Sequence, residues 1–108
     1  MRPPKELIRI TLADSIPDTP GIYILAYMGK VVYIGKAETS VFHRISEHRY
    51  SALHDRLGAW IVQCNDWTNI RLDVLIPPID VPSINEWLYE AESACIRRFK
   101  PVLNIALV

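Results

Sequence analysis

Along the chain the spacing of apolar residues switches from strand-like to helical, back to strand-like and again to helical, and each switch marks an element. Two runs rich in β-branched and aromatic residues, IYILAY at 22–27 and VVYI at 31–34, flank the break Met28-Gly29-Lys30, with Pro20 closing the first run upstream. This is the pattern of a β-hairpin. Strand side chains alternate faces, so Tyr23, Leu25 and Tyr27 share one side of the first strand, and Val31, Tyr33 and Gly35 one side of the second. The turn decides whether those sides coincide. A three-residue loop over 28–30 sets Leu25 opposite Tyr33 and Tyr23 opposite Gly35, with both phenols on one face, whereas a two-residue loop separates them. The three-residue loop is preferred, because it holds Gly29 inside the turn and leaves the Tyr23 ring uncovered by a side chain at Gly35.

After Gly35, Lys36-Ala37-Glu38-Thr39-Ser40 offers N-cap candidates, and Val41, Phe42 and Ile45 begin a helical stripe, predicting a helix from about Ser40 to Tyr50. Arg44 and His48 stand one turn apart on its edge, beside that stripe, where both can reach one ligand. A second short helix is predicted over 51–60 from Ala52, Leu53, Leu57 and Trp60, weakened by Gly58. No element is assigned to 61–69. Ile70, Leu72, Val74 and Ile76 alternate with Arg71, Asp73 and Leu75 as a third strand, ended by Pro77-Pro78. Ser83 with Glu86 has capping-box spacing and opens a long helix to about Lys100, stopped by Pro101. Residues 5–12 fit either a short strand or one helical turn.

The last helix buries a stripe of Ile84, Trp87, Leu88, Ala91, Cys95 and Phe99. Glu92 falls roughly 60° from the stripe's centre on a 3.6-residue wheel, between Leu88 and Ile96. A carboxylate there is partly desolvated and calls for a positive partner, either a metal ion or an arginine such as Arg44 or Arg98.

Composition narrows the functional classes. The 108 residues fit one domain (1–108), half of them hydrophobic, with twelve basic and twelve acidic side chains, so a contact with a polyanion must come from a local patch. Cys64 and Cys95 lack C-x-x-C spacing, and Met1 to Lys5 carry no continuous apolar segment. Reduced thiols, a cytoplasmic location and no membrane association are expected. The fold class expected is α/β of the α+β kind: a small three-stranded, largely antiparallel sheet flanked by helices.

Several residues acquire a joint meaning. Gly21-Ile22-Tyr23 and Tyr33-Ile34-Gly35, followed by Arg44 and His48, then Glu92, then Lys100-Pro101-Val102-Leu103-Asn104, stand in an order and spacing that resembles the GIY-YIG nuclease family. The lead-in Ile16-Pro17-Asp18-Thr19-Pro20 and the run Gly35-Lys36-Ala37 are similar to the N-terminal nuclease domain of the excinuclease members of that family, so the resemblance covers about residues 16–105. Residues 50–80 carry no matching motif.

The resemblance implies a DNA endonuclease that uses one divalent cation, Mg2+ or Mn2+, held by Glu92 as the single metal ligand. Arg44 would grip the phosphate through two charge-assisted bonds. Tyr23 would position or deprotonate the attacking water, helped by His48. A free phenol with a pKa of about 10 is only ~0.1% ionised at neutral pH, so a neighbouring Arg, Lys36 or the metal must lower it. Tyr33 would orient the phosphate or pack beside Tyr23, Lys36 would touch the DNA backbone or lower the phenol, and Gly21, Gly35 and Asn104 would support the site, Asn104 by fixing the chain end or the Glu92 helix; Arg49 is read as a DNA contact because it adds to the positive charge gathered at Lys36, Arg44 and Arg56. Family members commonly carry a separate DNA-binding domain; this chain fits a standalone nuclease, a subunit of something larger, or a domain whose specificity comes from a protein partner or a homo-oligomer, with weak, salt-sensitive DNA binding by the chain alone. Two other functions compete: a non-catalytic nucleic-acid-binding module using the same basic patch, and a protein-interaction subunit of a larger nuclease or repair assembly using the tryptophan-bearing segment 58–69. His43 and His54 are read as solvated, and Cys64 and Cys95 as buried thiols.

Overall fold

In the computed structural model, which describes residues 1–105, four antiparallel strands form one sheet in an α+β arrangement. They are β1 (Glu6–Thr11), β2 (Gly21–Tyr27), β3 (Lys30–Ala37) and β4 (Ile70–Ile76), in the order β1-β4-β2-β3. The sequence predicts three of them. The fourth, β1, is too short to declare itself by periodicity; it becomes a strand because β4 offers an edge along its whole length, from Glu6 opposite Ile76 to Thr11 opposite Arg71. Across that pairing Arg9 donates to both oxygens of the buried Asp73, at 3.0 and 3.1 Å.

The hairpin pairs Tyr23 with Gly35 and Leu25 with Tyr33, the register expected from sequence, but reaches it differently. The loop has two residues. Met28 and Gly29 take φ of 50° and 80°, the left-handed values that a type I′ turn requires between Tyr27 and Lys30. A plain two-residue loop would set the phenols on opposite faces. A bulge prevents this: Ala26 faces Val31, Leu25 faces Tyr33, and Val32 is the extra residue.

Each face of the sheet has its own cover. Helices α1 (Val41–Tyr50) and α2 (Arg56–Gln63) pack over Tyr23, Leu25, Leu72 and Val74, while α3 (Ile84–Phe99) packs over Ile22, Ile24 and Ile34 on the other side. The start of α1 is tied to the lead-in segment. Ser40 Oγ accepts from the His43 N–H and donates to Asp18, while the Val41 and Phe42 amides donate to the carbonyls of Thr19 and Pro17.

The predicted second helix at 51–60 is corrected. Residues 51–54 are a turn, Leu53 is 93% exposed, and the helix begins only after Asp55, whose carboxylate caps the Gly58 amide. Helix α3 starts as expected, with Ser83 Oγ accepting from Glu86 N–H at 3.2 Å, and ends at Lys100 in a left-handed conformation before Pro101. Trp87, Leu88 and Ala91 are its buried stripe, but Ile84 and Phe99 at its two ends are 41% and 44% exposed. A helix of 16 residues, about 24 Å long, outreaches the patch of β2 and β3 that it covers. A last turn, α4 (Val102–Ile105), lies beside β3. Cys64 and Cys95 are unpaired and half-buried, one in each core. Among the described residues, no helix is long and apolar enough to cross a membrane.

Candidate active site

By strand register Tyr23 belongs to the α1 face of the sheet, and Glu92 comes from α3 on the opposite face. They nevertheless border one cleft. β3 is one of the two edge strands, and the space wraps around its outer edge at Gly35 and Lys36. This cleft, of about 430 Å³, is lined by Tyr23, Tyr33, Lys36 and Glu92, with Arg44 standing exposed at its rim on α1. Gly35 makes the passage possible: a Cβ there would lie 2.3 Å from both Cζ and Oη of Tyr23, so the phenol occupies the room that a side chain would need. Gly21 has a packing role, since a Cβ would come within 2.9 Å of the Leu75 carbonyl oxygen. The rings of Tyr23 and Tyr33 stack at an offset, with centroids 6.1 Å apart.

Below the cleft Tyr23 enters a buried polar chain. Its Oη lies 3.0 Å from Nε2 of His48, and Nδ1 of His48 is hydrogen-bonded to Asp55 Oδ2. Asp55 is partly buried, which alone would raise it; the Gly58 amide and His48 outweigh that and hold it below the usual aspartate value. An ionised Asp55 can only accept, so Nδ1 carries the proton and Nε2 is the acceptor for the Tyr23 hydroxyl. Burial pushes His48 below an ordinary histidine in spite of Asp55, with Arg44 adding to the effect. His48 is therefore neutral at pH 7.

Burial, and secondarily Tyr33, drives the Tyr23 phenol far above its ordinary value, with Arg44 opposing. Tyr33 is raised by burial too. Of the neighbours expected to lower the phenol, Arg44 acts in that direction, and without a cation at Glu92 desolvation outweighs it. In that state Tyr23 is a neutral phenol whose hydroxyl can donate to His48 Nε2.

Glu92 is half-buried and raised by desolvation, with the Lys36 charge and the Lys36 backbone amide pulling it back. Among the described residues neither Arg44 nor Arg98 forms an ion pair with it, and Lys36 pairs with Glu38 at 3.1 Å. The arginine alternative for Glu92 therefore fails. Among the described residues there is also no group of three or more His, Cys, Asp or Glu that could hold a metal. A half-buried carboxylate such as Glu92 suits Mg2+ or Mn2+, which keep most of their waters and bind few protein oxygens, better than a softer metal that needs several protein ligands.

Asn104 acts on the same strand edge. Its Oδ1 accepts from Ile34 N–H and its Nδ2 donates to Ile34 C=O, both at 2.8 Å. The side chain replaces a missing neighbour strand, so it holds β3 and not the α3 helix. Asn104→Ala is expected to cost about 1–2 kcal/mol by urea denaturation, because solvent can only partly re-satisfy the half-buried peptide.

Arg49 does not reach the cleft. Its guanidinium lies 4.5 Å over the Trp67 ring and donates to the Leu12 carbonyl at 3.3 Å, so it fastens the α1 face together. His43 and His54 are exposed, as the sequence suggests. Asp55 is missing from the residues that the sequence singles out, because the predicted helix starts too early and places it mid-helix. An Asp three residues before Gly58, ahead of the Leu57 and Ile61 stripe, is the capping signal that points to it. Compared with known proteins, the chain matches no protein-family model and no curated protein.

Proposed function

We propose that the protein is a divalent-metal-dependent endonuclease that hydrolyses DNA phosphodiester bonds, a cytoplasmic nuclease of the GIY-YIG type. One observation carries the reading: a phenol with its own histidine acceptor, a guanidinium and a carboxylate that form no ion pair among the described residues, drawn from three separate elements, border one open cleft.

In this reading Arg44 binds the scissile phosphate and Tyr33 orients it, while Lys36 adds positive charge beside Glu92. A water in the cleft donates a hydrogen bond to Tyr23 Oη. As its oxygen forms the new bond to phosphorus and the bond to the leaving oxygen breaks, the water proton passes to Oη and the Tyr23 proton passes to His48 Nε2. The leaving oxygen takes a proton from solvent, and after product departure His48 returns its proton through Tyr23. When bound at Glu92, Mg2+ or Mn2+ supplies neutralisation of the charge that builds on the phosphate. With twelve charges of each sign, affinity rests on the local patch and falls with salt. A protein partner or a second copy would supply specificity.

The test is to incubate the protein with plain, nicked and branched duplex DNA in Mg2+, Mn2+ or EDTA. Strand cleavage is expected only with metal. Tyr23→Phe is expected to lower the cleavage rate about 10²–10⁴-fold at unchanged DNA affinity. Binding without cutting in any metal would replace this reading with that of a nucleic-acid-binding module.

A further inference from the structure

The geometry points to Asp55 as the positioning residue of the Tyr23–His48 pair: its carboxylate fixes the imidazole in the tautomer that leaves Nε2 bare toward the phenol. The inference rests on the nuclease reading for its catalytic consequence, but its structural content stands apart from it.

Two contacts converge on this carboxylate, and a third sets the helix that carries it against α1. Oδ1 accepts from the Gly58 N–H at 3.1 Å, which fixes Asp55 at the start of α2, and Oδ2 takes the Nδ1–H of His48. The third is backbone to backbone: a Cβ at Gly58 would lie 1.8 Å from the His48 carbonyl oxygen, so only glycine lets α2 seat its capping residue this close to α1. The imidazole is 3% exposed, too deep for water to choose its tautomer, and it has one hydrogen-bond partner on each nitrogen. Asp55 is not among the residues that line the cleft. Its open side, with His54 and Arg56, borders a separate hollow of about 240 Å³ that shares the Tyr33 and Arg44 wall. It acts on Tyr23 through His48, by holding the ring and by stabilising the imidazolium that forms when Nε2 takes the Tyr23 proton.

Asp55→Asn separates positioning from folding. Asn is as good an N-cap as Asp, so the Gly58 contact survives. With its oxygen held by the Gly58 N–H, however, its NH2 group meets Nδ1 as a donor, which moves the ring proton to Nε2 and removes the acceptor for Tyr23. The measurement is nitrogen-15 NMR of His48, assigned with His48→Gln, together with single-turnover cleavage. In the wild type Nδ1 is expected as the protonated nitrogen and Nε2 as the bare one; in Asp55→Asn the two exchange.

The chemical rate is expected to fall about 10²–10⁴-fold, with DNA affinity in EDTA unchanged. A wild-type spectrum with Nδ1 bare overturns the inference, whatever the variant does, as does an active wild type whose rate Asp55→Asn leaves intact. An inactive wild type with the expected spectra and their exchange in the variant would sink the nuclease reading and uphold the placement of the imidazole.

Discussion

Glu92→Gln is expected to abolish metal-dependent cleavage and, in metal-free buffer at neutral pH, to raise the melting temperature. The two effects have one cause. Glu92 is half-buried at the β3 edge, and desolvation raises its folded-state pKa above the usual 4.5 in spite of Lys36. The folded chain thus holds the Glu92 proton more tightly than the unfolded chain. The stabilisation this gives is fully present below pH 4.5 and is lost as pH rises through the folded value, where the ionised carboxylate works against folding. Glutamine removes the charge, keeps the shape and can still accept from the Lys36 amide.

The stability gap between variant and wild type should therefore be widest at neutral pH and should close on acidification. Mg2+ or Mn2+ should narrow it from the other side, by stabilising only the wild type. Cleavage should drop at least about 10³-fold, the loss expected when charge stabilisation at the reacting phosphate goes. Thermal melts between pH 4 and 8, with and without metal, read the first effect, and the DNA panel reads the second. A variant that melts lower than the wild type at pH 7 would contradict the desolvated placement of Glu92; one that still cuts would remove it from the site.

Gly58→Ala should be the most damaging small substitution. In an ordinary helix interior the same change stabilises by about 1 kcal/mol. Here the added Cβ would stand 1.8 Å from the His48 carbonyl oxygen, 2.9 Å from its carbon and 3.2 Å from the Ala52 Cα. All three are main-chain atoms, and none can rotate away. Either α2 lifts from α1 or the end of α1 shifts, and both separate His48 from Asp55 or Tyr23. A loss of about 3 kcal/mol or more is expected, lowering the midpoint by roughly 10 °C or more. The protein that stays folded at low temperature should cut slowly with normal DNA affinity. A Gly58→Ala protein as stable as the wild type would mean that the two helices do not meet as described.

These variants also separate what could be read along the chain from what could not. The hairpin, the cap at Ser83, the stop at Pro101 and the helix bearing Arg44 and His48 were legible because each depends on neighbours within a few residues. The tight Met28-Gly29 turn with its bulge at Val32 was not, since a turn that matches strand twist and a Tyr33 that packs under α1 make opposite demands, met only by one extra residue. Arg49 looked like part of a basic patch, and the ring of Trp67, eighteen positions on, takes it out of that patch.

By itself the sequence determined the hairpin, the strand at 70–76, the helices α1 and α3, and the chemical groups available: a phenol pair, a guanidinium, an imidazole and a carboxylate at the edge of an apolar stripe. Only the tertiary structure decided that Tyr23 and Glu92, from opposite faces of the sheet, meet around the outer edge of β3, and that Asp55 stands behind His48. The reason is physical. Periodicity records which side of a helix or strand avoids water, a property of local spacing, whereas strand order and the seating of α2 against α1 follow from packing between segments far apart in the chain.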